Sequence, residues 1–238
     1  LSKLNGIFAF AIWDYKNQSL FIARDGLGVK PLYYSENNEN FSFASEIKAL
    51  LHLTPKNQEL DKEEINRYLS FLWCPGEGTP LKSIRKLLPG EAIIVKSGNI
   101  VKKWTWYQLP IFTGISANLD KNKSISGTIK YLRQAVHRQM IADVPVGAFL
   151  SGGLDSSSIV ALAREVDPDI RCFTIDTTGK QDKGVVNDLP YAQKVAKHLD
   201  VALDVVSVDS SKIAQDLEYM VTQLGEPLAD PAALNVLY

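Results

Sequence analysis

Ser151-Gly152-Gly153-Leu154-Asp155-Ser156-Ser157 follows the apolar run Val144 to Leu150 and leads straight into the helix-like run Ser158 to Glu165. A strand that ends in two glycines and several hydroxyls, then turns into a helix, builds a bowl of backbone N–H groups aimed at anionic oxygens. Glycine lets that backbone come close, because no Cβ stands in the way and positive φ is open to it. Ser151, Ser156 and Ser157 add hydroxyl donors. Asp155 is an odd neighbour for a polyphosphate, since two anions repel unless a cation lies between them. A hard divalent ion such as Mg2+ takes oxygen ligands and is the natural bridge, so Asp155 reads as a metal ligand. The string is not the P-loop, which ends in Gly-Lys-Ser/Thr, nor the dinucleotide fingerprint; it holds no lysine for the β- and γ-phosphates. The structural alternative is a loop whose Ser and Asp merely cap a helix. The complete string in its strand-turn-helix setting favours a nucleotide site.

The surroundings extend the pattern. A helical run from Ser126 to about Ile141 precedes a strand at 144–150, a helix at 156–166, a strand at 170–176, a helix at 188–199 and a strand at 203–208. Such alternation predicts a parallel, doubly wound α/β sheet, and ligands bind at the carboxyl ends of its strands, where Ser151 lies. Residues 111–124, with Gly114, Ser116, Asn118, Asp120 and Asn122, are polar and turn-prone, as a linker would be. Residues 1 to about 110 read as strands and hairpins. Phe8 to Trp13 and Ser19 to Arg24 alternate as strands, Asp25-Gly26-Leu27-Gly28 turns towards Leu32 to Tyr34, and Ser97-Gly98-Asn99 turns the strand ending at Val95 back on itself. A helical turn is expected at Ser45 to Leu51 and a helix from Asp61 to about Phe71, where Glu64 stands at capping-box spacing from Asp61.

At 238 residues the chain has room for one large or two modest domains. With 45% hydrophobic and 22% charged residues it is of ordinary globular composition, and a net charge of −1 points to no nucleic-acid partner. The sequence has no apolar stretch long enough to span a membrane and no signal-peptide pattern, which leaves the cytoplasm as the expected compartment. Cys74 and Cys172 have no metal-ligand spacing and fall in different expected domains, so two free thiols are expected rather than a bridge. His52, His137 and His198 likewise form no ligand spacing. Leu1 opens within a strand pattern, and Asp230-Pro231 starts a helix with Asp230 as cap just before Tyr238, so we expect a segment of a longer reading frame.

Ser151 to Ser157 resembles the SGGxDS pyrophosphate loop of ATP pyrophosphatases. Arg138-Gln139-Met140-Ile141-Ala142-Asp143-Val144-Pro145-Val146-Gly147 before it is similar to the synthetase domain of glutamine-dependent asparagine synthetases. Upstream, Leu4 to Asp14, Arg24-Asp25-Gly26-Leu27-Gly28-Val29-Lys30-Pro31-Leu32-Tyr33-Tyr34 and Phe43 to Leu50 resemble the back half of that family's glutaminase domain, in family order. The resemblance covers nearly the whole chain. It implies an α+β first part, the incomplete Ntn-type glutaminase sandwich, over 1–112, a linker over 113–124, and an incomplete Rossmann-like α/β ATP-pyrophosphatase domain over 125–238.

The function it implies is adenylation of a carboxylate, usually that of aspartate, by ATP with Mg2+. Ammonia channelled from glutamine then displaces AMP to form the amide. Relatives on the same scaffold that amidate another carboxylate or close a β-lactam ring are the enzymatic alternative, and a silent ATP-binding module is the non-enzymatic one. The nucleotide would meet Leu150, Ser151, Gly152, Gly153, Asp155, Ser156, Ser157, Ile175 and Gly225, with Leu150 and Ile175, at successive strand ends, resembling the apolar and backbone contacts to adenine, although any α/β sheet has apolar residues there. Asp155 and Asp188 would hold the metal, although Asp188 could equally cap its helix. Glu226 matches a carboxylate proposed as general base for incoming ammonia, against the alternative of an exposed loop charge. Asn5 stands where the family is expected to carry an aspartate that pairs with the substrate's α-ammonium; the amide keeps an acceptor and drops the charge. Arg24 and Asp25 read as a structural pair holding the turn. The family's glutaminase nucleophile is an N-terminal cysteine with its own α-amine as base; neither Cys74 nor Cys172 is terminal, so the chain by itself is not expected to hydrolyse glutamine. A homodimer is compatible with the resemblance, and no membrane partner is implied.

Overall fold

The structure, a computed structural model, describes residues 1–37, 40–54, 58–111, 120–178, 187–230 and 233. They fall into two units, Leu1–Phe112 with Tyr219–Ala233, and Thr113–Glu218 with Leu234–Tyr238.

In the first unit, β1 (Ala9–Asp14) and β2 (Ser19–Arg24) pair antiparallel, and β2 pairs in turn with β6 (Glu91–Lys96), which pairs with β7 (Asn99–Thr105). The β1–β2 turn is held by Asp14, whose carboxylate accepts from the Asn17 backbone and side chain. The β6–β7 turn is Ser97-Gly98, both at positive φ, which is the backbone a two-residue hairpin of right-twisted strands needs. A smaller sheet has the order β4-β3-β5, with β3 (Tyr33–Glu36), β4 (Phe41–Ala44) and the two-residue β5 (Arg85–Lys86). Ile22, Ile93 and Val95 from the larger sheet bury against Leu32, Tyr34 and Leu87 from around the smaller one. The helical turn α1 (Ile47–Leu51) closes a second cluster of Tyr33, Ile47, Leu50 and Ile84.

The helix expected after Asp61 is α2 (Lys62–Phe71), and Asp61 caps it by accepting from Glu63 and Glu64 N–H. The reciprocal half of a capping box is not made. The Asp61 N–H donates to the Pro80 carbonyl, and the Glu64 carboxylate pairs with Arg67 at 2.8 Å.

Asp25 and Arg24 organise the turn after β2 through backbone groups rather than through each other. Asp25, 1% exposed, accepts from the N–H groups of Leu27, Val29, Lys30 and Phe8. The Arg24 guanidinium donates to the carbonyls of Lys30, Leu87 and Gly28. Burial by itself would raise the Asp25 pKa, yet the four backbone donors outweigh it and hold the carboxyl below its ordinary value. Because the folded pKa is depressed, the stabilisation is complete above the unfolded value and is lost as pH falls through the folded one. Asp25→Asn is therefore expected to cost about 2 kcal/mol or more at neutral pH, and the deficit should shrink towards about pH 3, below the ordinary aspartate value. Urea unfolding at the two pH values measures both.

The second unit contains α3 (Lys121–Gln139), β8 (Gly147–Phe149), α4 (Leu154–Ala163), β9 (Arg171–Thr178), α5 (Leu189–Leu199), β10 (Ala202–Asp209) and the start of α6 (Ser210–Gln223). Its sheet has the order β10-β9-β8 with both pairings parallel, as strand-helix alternation requires. The expected double winding is not displayed, because strand order does not reverse among the described strands. Leu150, Val160, Cys172, Ala192 and Ala196 form the main core, and Val136, Leu162, Ala163 and Ile170 form a second cluster between α3 and α4.

α3 begins earlier than the Ser126 expected, because the Asp120 carboxylate caps it by accepting from Asn122 and Lys123 N–H. The end of the expected linker, residues 121–124, is thus helix. Residues 112–119 of that linker, and residues 231, 232 and 234–238 of the expected final helix, lie outside the described residues.

Candidate phosphate-binding loop and neighbouring residues

The loop is positioned by the pairing of β8 with β9 on one side and by α5 on the other. Leu150 N–H donates to the Phe173 carbonyl at 2.8 Å, carrying the parallel pairing one residue past the strand before the chain turns. Gly152 then adopts φ +80°, and a Cβ built there would lie 2.3 Å from the Tyr191 carbonyl carbon and 2.5 Å from the Ala192 nitrogen. Only glycine allows the loop to lie against the first turns of α5 in this way. Gly153 is extended (φ −70°, ψ 165°) at the N-cap of α4.

Hydroxyls tie the loop internally. Ser151 Oγ lies 3.0 Å from Ser156 Oγ and accepts from Gly153 N–H at 3.3 Å, while Ser156 Oγ also lies 3.3 Å from the Gly153 carbonyl. Ser157 N–H donates to the Gly153 carbonyl as the first bond of the α4 ladder. The N–H groups of Leu154, Asp155 and Ser156 precede that bond and have no intrahelical acceptor. Leu154 and Asp155 are exposed, so the mouth of the loop opens to solvent. Ser157 Oγ is buried without a hydrogen-bond partner. The arrangement can present several donors and the positive end of a helix to an anion.

Asp155 stands exposed in the first turn of α4. Asp188 occupies the N-cap position of α5 with helical φ and ψ, and its side chain makes no capping bond. The cap is supplied by Asn187, whose Oδ1 accepts from Leu189 N–H at 3.0 Å. The capping alternative for Asp188 is therefore not realised, and its carboxylate is left out of the helix's own bonding. Gly152 packs on the turn of α5 that comes after Asp188, since Tyr191 and Ala192 N–H both donate to the Asp188 carbonyl. No group of three or more His, Cys, Asp or Glu poised to hold a metal occurs among the described residues. Asp155, in the first turn of α4, and Asp188, whose carbonyl holds the turn of α5 against which Gly152 packs, are oxygen donors of the kind that Mg2+ takes alongside waters and substrate phosphates.

Leu150 stands at its strand end as expected, and Ile175 does not. Leu150 is 1% exposed and belongs to the core with Val160 and Cys172, so its side chain cannot meet a ligand and only its backbone remains for that purpose. Ile175 is half-buried in the middle of β9, which runs on to Thr178, and is paired with Val206.

Gly225 and Glu226 fall in the first unit. A Cβ added at Gly225 would meet the Tyr33 hydroxyl at an ordinary 3.9 Å. Glu226 Oε1 accepts from Tyr33 OH at 2.7 Å and Oε2 from Lys86 Nζ at 2.9 Å. With both oxygens engaged, Glu226 is not the exposed loop charge of the structural alternative. Burial first, and then the Glu226 carboxylate, push the Tyr33 phenol well above its ordinary pKa.

Asn5 lines a cleft of about 450 Å³ in the first unit with Gly6, Asp25, Leu27, Trp106 and Tyr107. Sequence reading missed the aromatic wall. Trp106 is tied to the Arg24 carbonyl through its indole N–H and stacks on Phe8, contacts across more than eighty positions that no local pattern announces. Cys74 and Cys172 are free and buried, and burial pushes both thiols up, away from nucleophile chemistry. Among the described residues no helix is long and apolar enough to cross a membrane.

A glycine-turned strand-loop-helix in one unit and a cleft in the other define a two-module chain. Residues 1–107 match the family described as glutamine amidotransferase domain, and residues 128–238 match asparagine synthase. The chain belongs to the glutamine-dependent asparagine synthetase family. It is 34% identical over 247 aligned residues to asparagine synthetase [glutamine-hydrolyzing] 1 of Bacillus subtilis, covering 100% of this chain and 36% of that protein. It is 40% identical to asparagine synthetase [glutamine-hydrolyzing] 3 of the same organism, over 68% of this chain and 26% of the relative. Amidase chyE of Penicillium rubens is 30% identical over 97% of the chain and 35% of its own length. The chain therefore spans between 26% and 36% of the length of these relatives.

Proposed function

We propose that the protein carrying this chain is an ATP-dependent amide-forming ligase that activates the side-chain carboxylate of aspartate and amidates it with ammonia drawn from glutamine. The observation that supports this reading most is the loop 151–157, whose Gly152 turn and first-turn N–H groups suit a polyphosphate. On this reading residues 1–112 are part of an Ntn-type glutaminase sandwich and 125–238 part of an ATP-pyrophosphatase fold, working in the cytoplasm.

In the reaction, the N–H groups of Leu154, Asp155 and Ser156 and the hydroxyls of Ser151 and Ser156 hold the β- and γ-phosphates. Asp155 and Asp188 would hold the magnesium ion. Bound there, Mg2+ neutralises phosphate charge and so eases departure of pyrophosphate. The substrate carboxylate attacks the α-phosphorus, pyrophosphate leaves, and the acyl-adenylate is attacked by ammonia to give the amide and AMP. The positive N-terminal end of α4 stabilises charge developing on the departing pyrophosphate. Glu226, whose carboxylate also accepts from Lys86 and Tyr33, is the general base we assign to the incoming ammonia. Asn5, in the cleft with Trp106 and Tyr107, lies where we place the glutamine.

A second enzymatic reading is favoured by the likeness to a fungal protein named as an amidase: the same loop would activate a different carboxylate. A screen of amino-acid carboxylates with ammonia, scored by AMP release, separates the two. Aspartate should stand first, whereas AMP release with another carboxylate and none with aspartate would move the assignment.

A further inference from the structure

Tyr219–Ala233 clusters with the first unit although its sequence lies within the asparagine synthase match at residues 128–238. Within that unit the returning segment is fastened at two points. The Ala229 N–H donates to the Leu72 carbonyl at 2.9 Å, just past the end of α2. Glu226 inserts its carboxylate between Tyr33 of β3 and Lys86 of β5.

Lys86 is 8% exposed, an unusual position for an ammonium. Its Nζ meets the Cys74 carbonyl and Glu226 Oε2, and it lies 5.9 Å from the centroid of the Trp73 ring. Among the described residues, Glu226 is the acidic group paired with it. A buried charge whose partner is removed is left uncompensated, so such a pair enforces one arrangement more strongly than it adds net stability. Two oxygens bound by donors from two different strands also fix orientation, which a single surface ion pair does not.

We propose that Lys86, Glu226 and Tyr33 form a latch that seats residues 224–229 on the first unit in a single register. The latch rests on the contacts within the first unit and does not depend on the reaction proposed above.

Amide hydrogen exchange in the full chain tests it, with peptides spanning 224–229 as reporter. In the unmodified protein these amides should be protected. Lys86→Met and Glu226→Gln should each speed their exchange roughly tenfold to a hundredfold, leaving the strands of the larger sheet unchanged. The double variant should be no worse than the poorer single one, because both break one interaction. Additive effects in the double variant, or unprotected amides in the unmodified protein, would overturn the proposal. Tyr33→Phe removes a single hydroxyl and is the milder probe should Lys86→Met fail to fold. It should raise exchange at 224–229 by a smaller factor, and unchanged exchange there would equally sink the latch.

Discussion

Replacing Asp155 with Asn is expected to lower ATP-dependent amide synthesis by about a hundredfold or more while leaving the fold intact. Asp155 is exposed and has no hydrogen-bond or ion-pair partner among the described residues, so the fold loses nothing that the carboxylate holds. Its one local service is to complement the positive end of α4, worth a few tenths of a kcal/mol up to about 1 kcal/mol. The amide keeps shape and volume but cannot ligate a hard cation well, and the polyphosphate is then deprived of a counter-ion anchor. Two readouts separate these effects. Thermal unfolding without ligand should move by no more than a degree or two, whereas the rise in Tm produced by ATP with Mg2+ should largely disappear. A variant that kept the full ligand-induced shift would remove Asp155 from the metal site.

The two loop glycines should fail in different ways. Gly152→Ala forces a side chain into positive φ and drives Cβ into the Tyr191–Ala192 peptide, which is backbone and cannot swing aside. The conformational and packing penalties together amount to about 2–4 kcal/mol. Unfolding should show that loss in the second unit. At Gly153 the backbone is already extended, and an added Cβ would meet Ser151 Oγ at an ordinary 3.4 Å. Gly153→Ala should therefore leave stability within about 0.5 kcal/mol of the original. The methyl group would instead crowd the mouth of the loop, so ATP binding should weaken with the protein fully folded. If both variants unfolded alike, Gly153 would be a packing glycine and not a contact of the phosphate.

Much of the site was legible because it is local. The string from Ser151 to Ser157 carries its own turn, its own hydroxyls and the start of its own helix, and the alternation around it announces a parallel sheet without reference to distant residues. The Arg24–Asp25 turn was legible for the same reason, although the two groups turn out to bind backbone on either side rather than each other. What sequence did not show was set by competition or distance. Asn187 and Asp188 are both good caps, and which one bonds Leu189 depends on a backbone angle that neither residue dictates. Ile175 looked like a strand end because β9 outruns its neighbour β8, and strand length is decided by pairing with β10. Leu150 precedes the loop directly, yet its side chain points into the core. Glu226 meets Tyr33 and Lys86 across 193 and 140 positions, and β5, which presents Lys86, is too short to leave a periodic signal.

Isotope transfer in a single reaction tests the central assignment most directly. Aspartate labelled with a heavy oxygen isotope in its side-chain carboxylate is supplied to the protein carrying this chain, with ATP, Mg2+ and ammonia. Attack of that carboxylate on the α-phosphorus and then amidation must leave one labelled oxygen in AMP, with pyrophosphate and asparagine formed in equal amounts. That is the result predicted for a loop at Ser151 to Ser157 that grips the departing pyrophosphate. Formation of ADP with label in inorganic phosphate would place the attack at the γ-phosphorus and contradict the account.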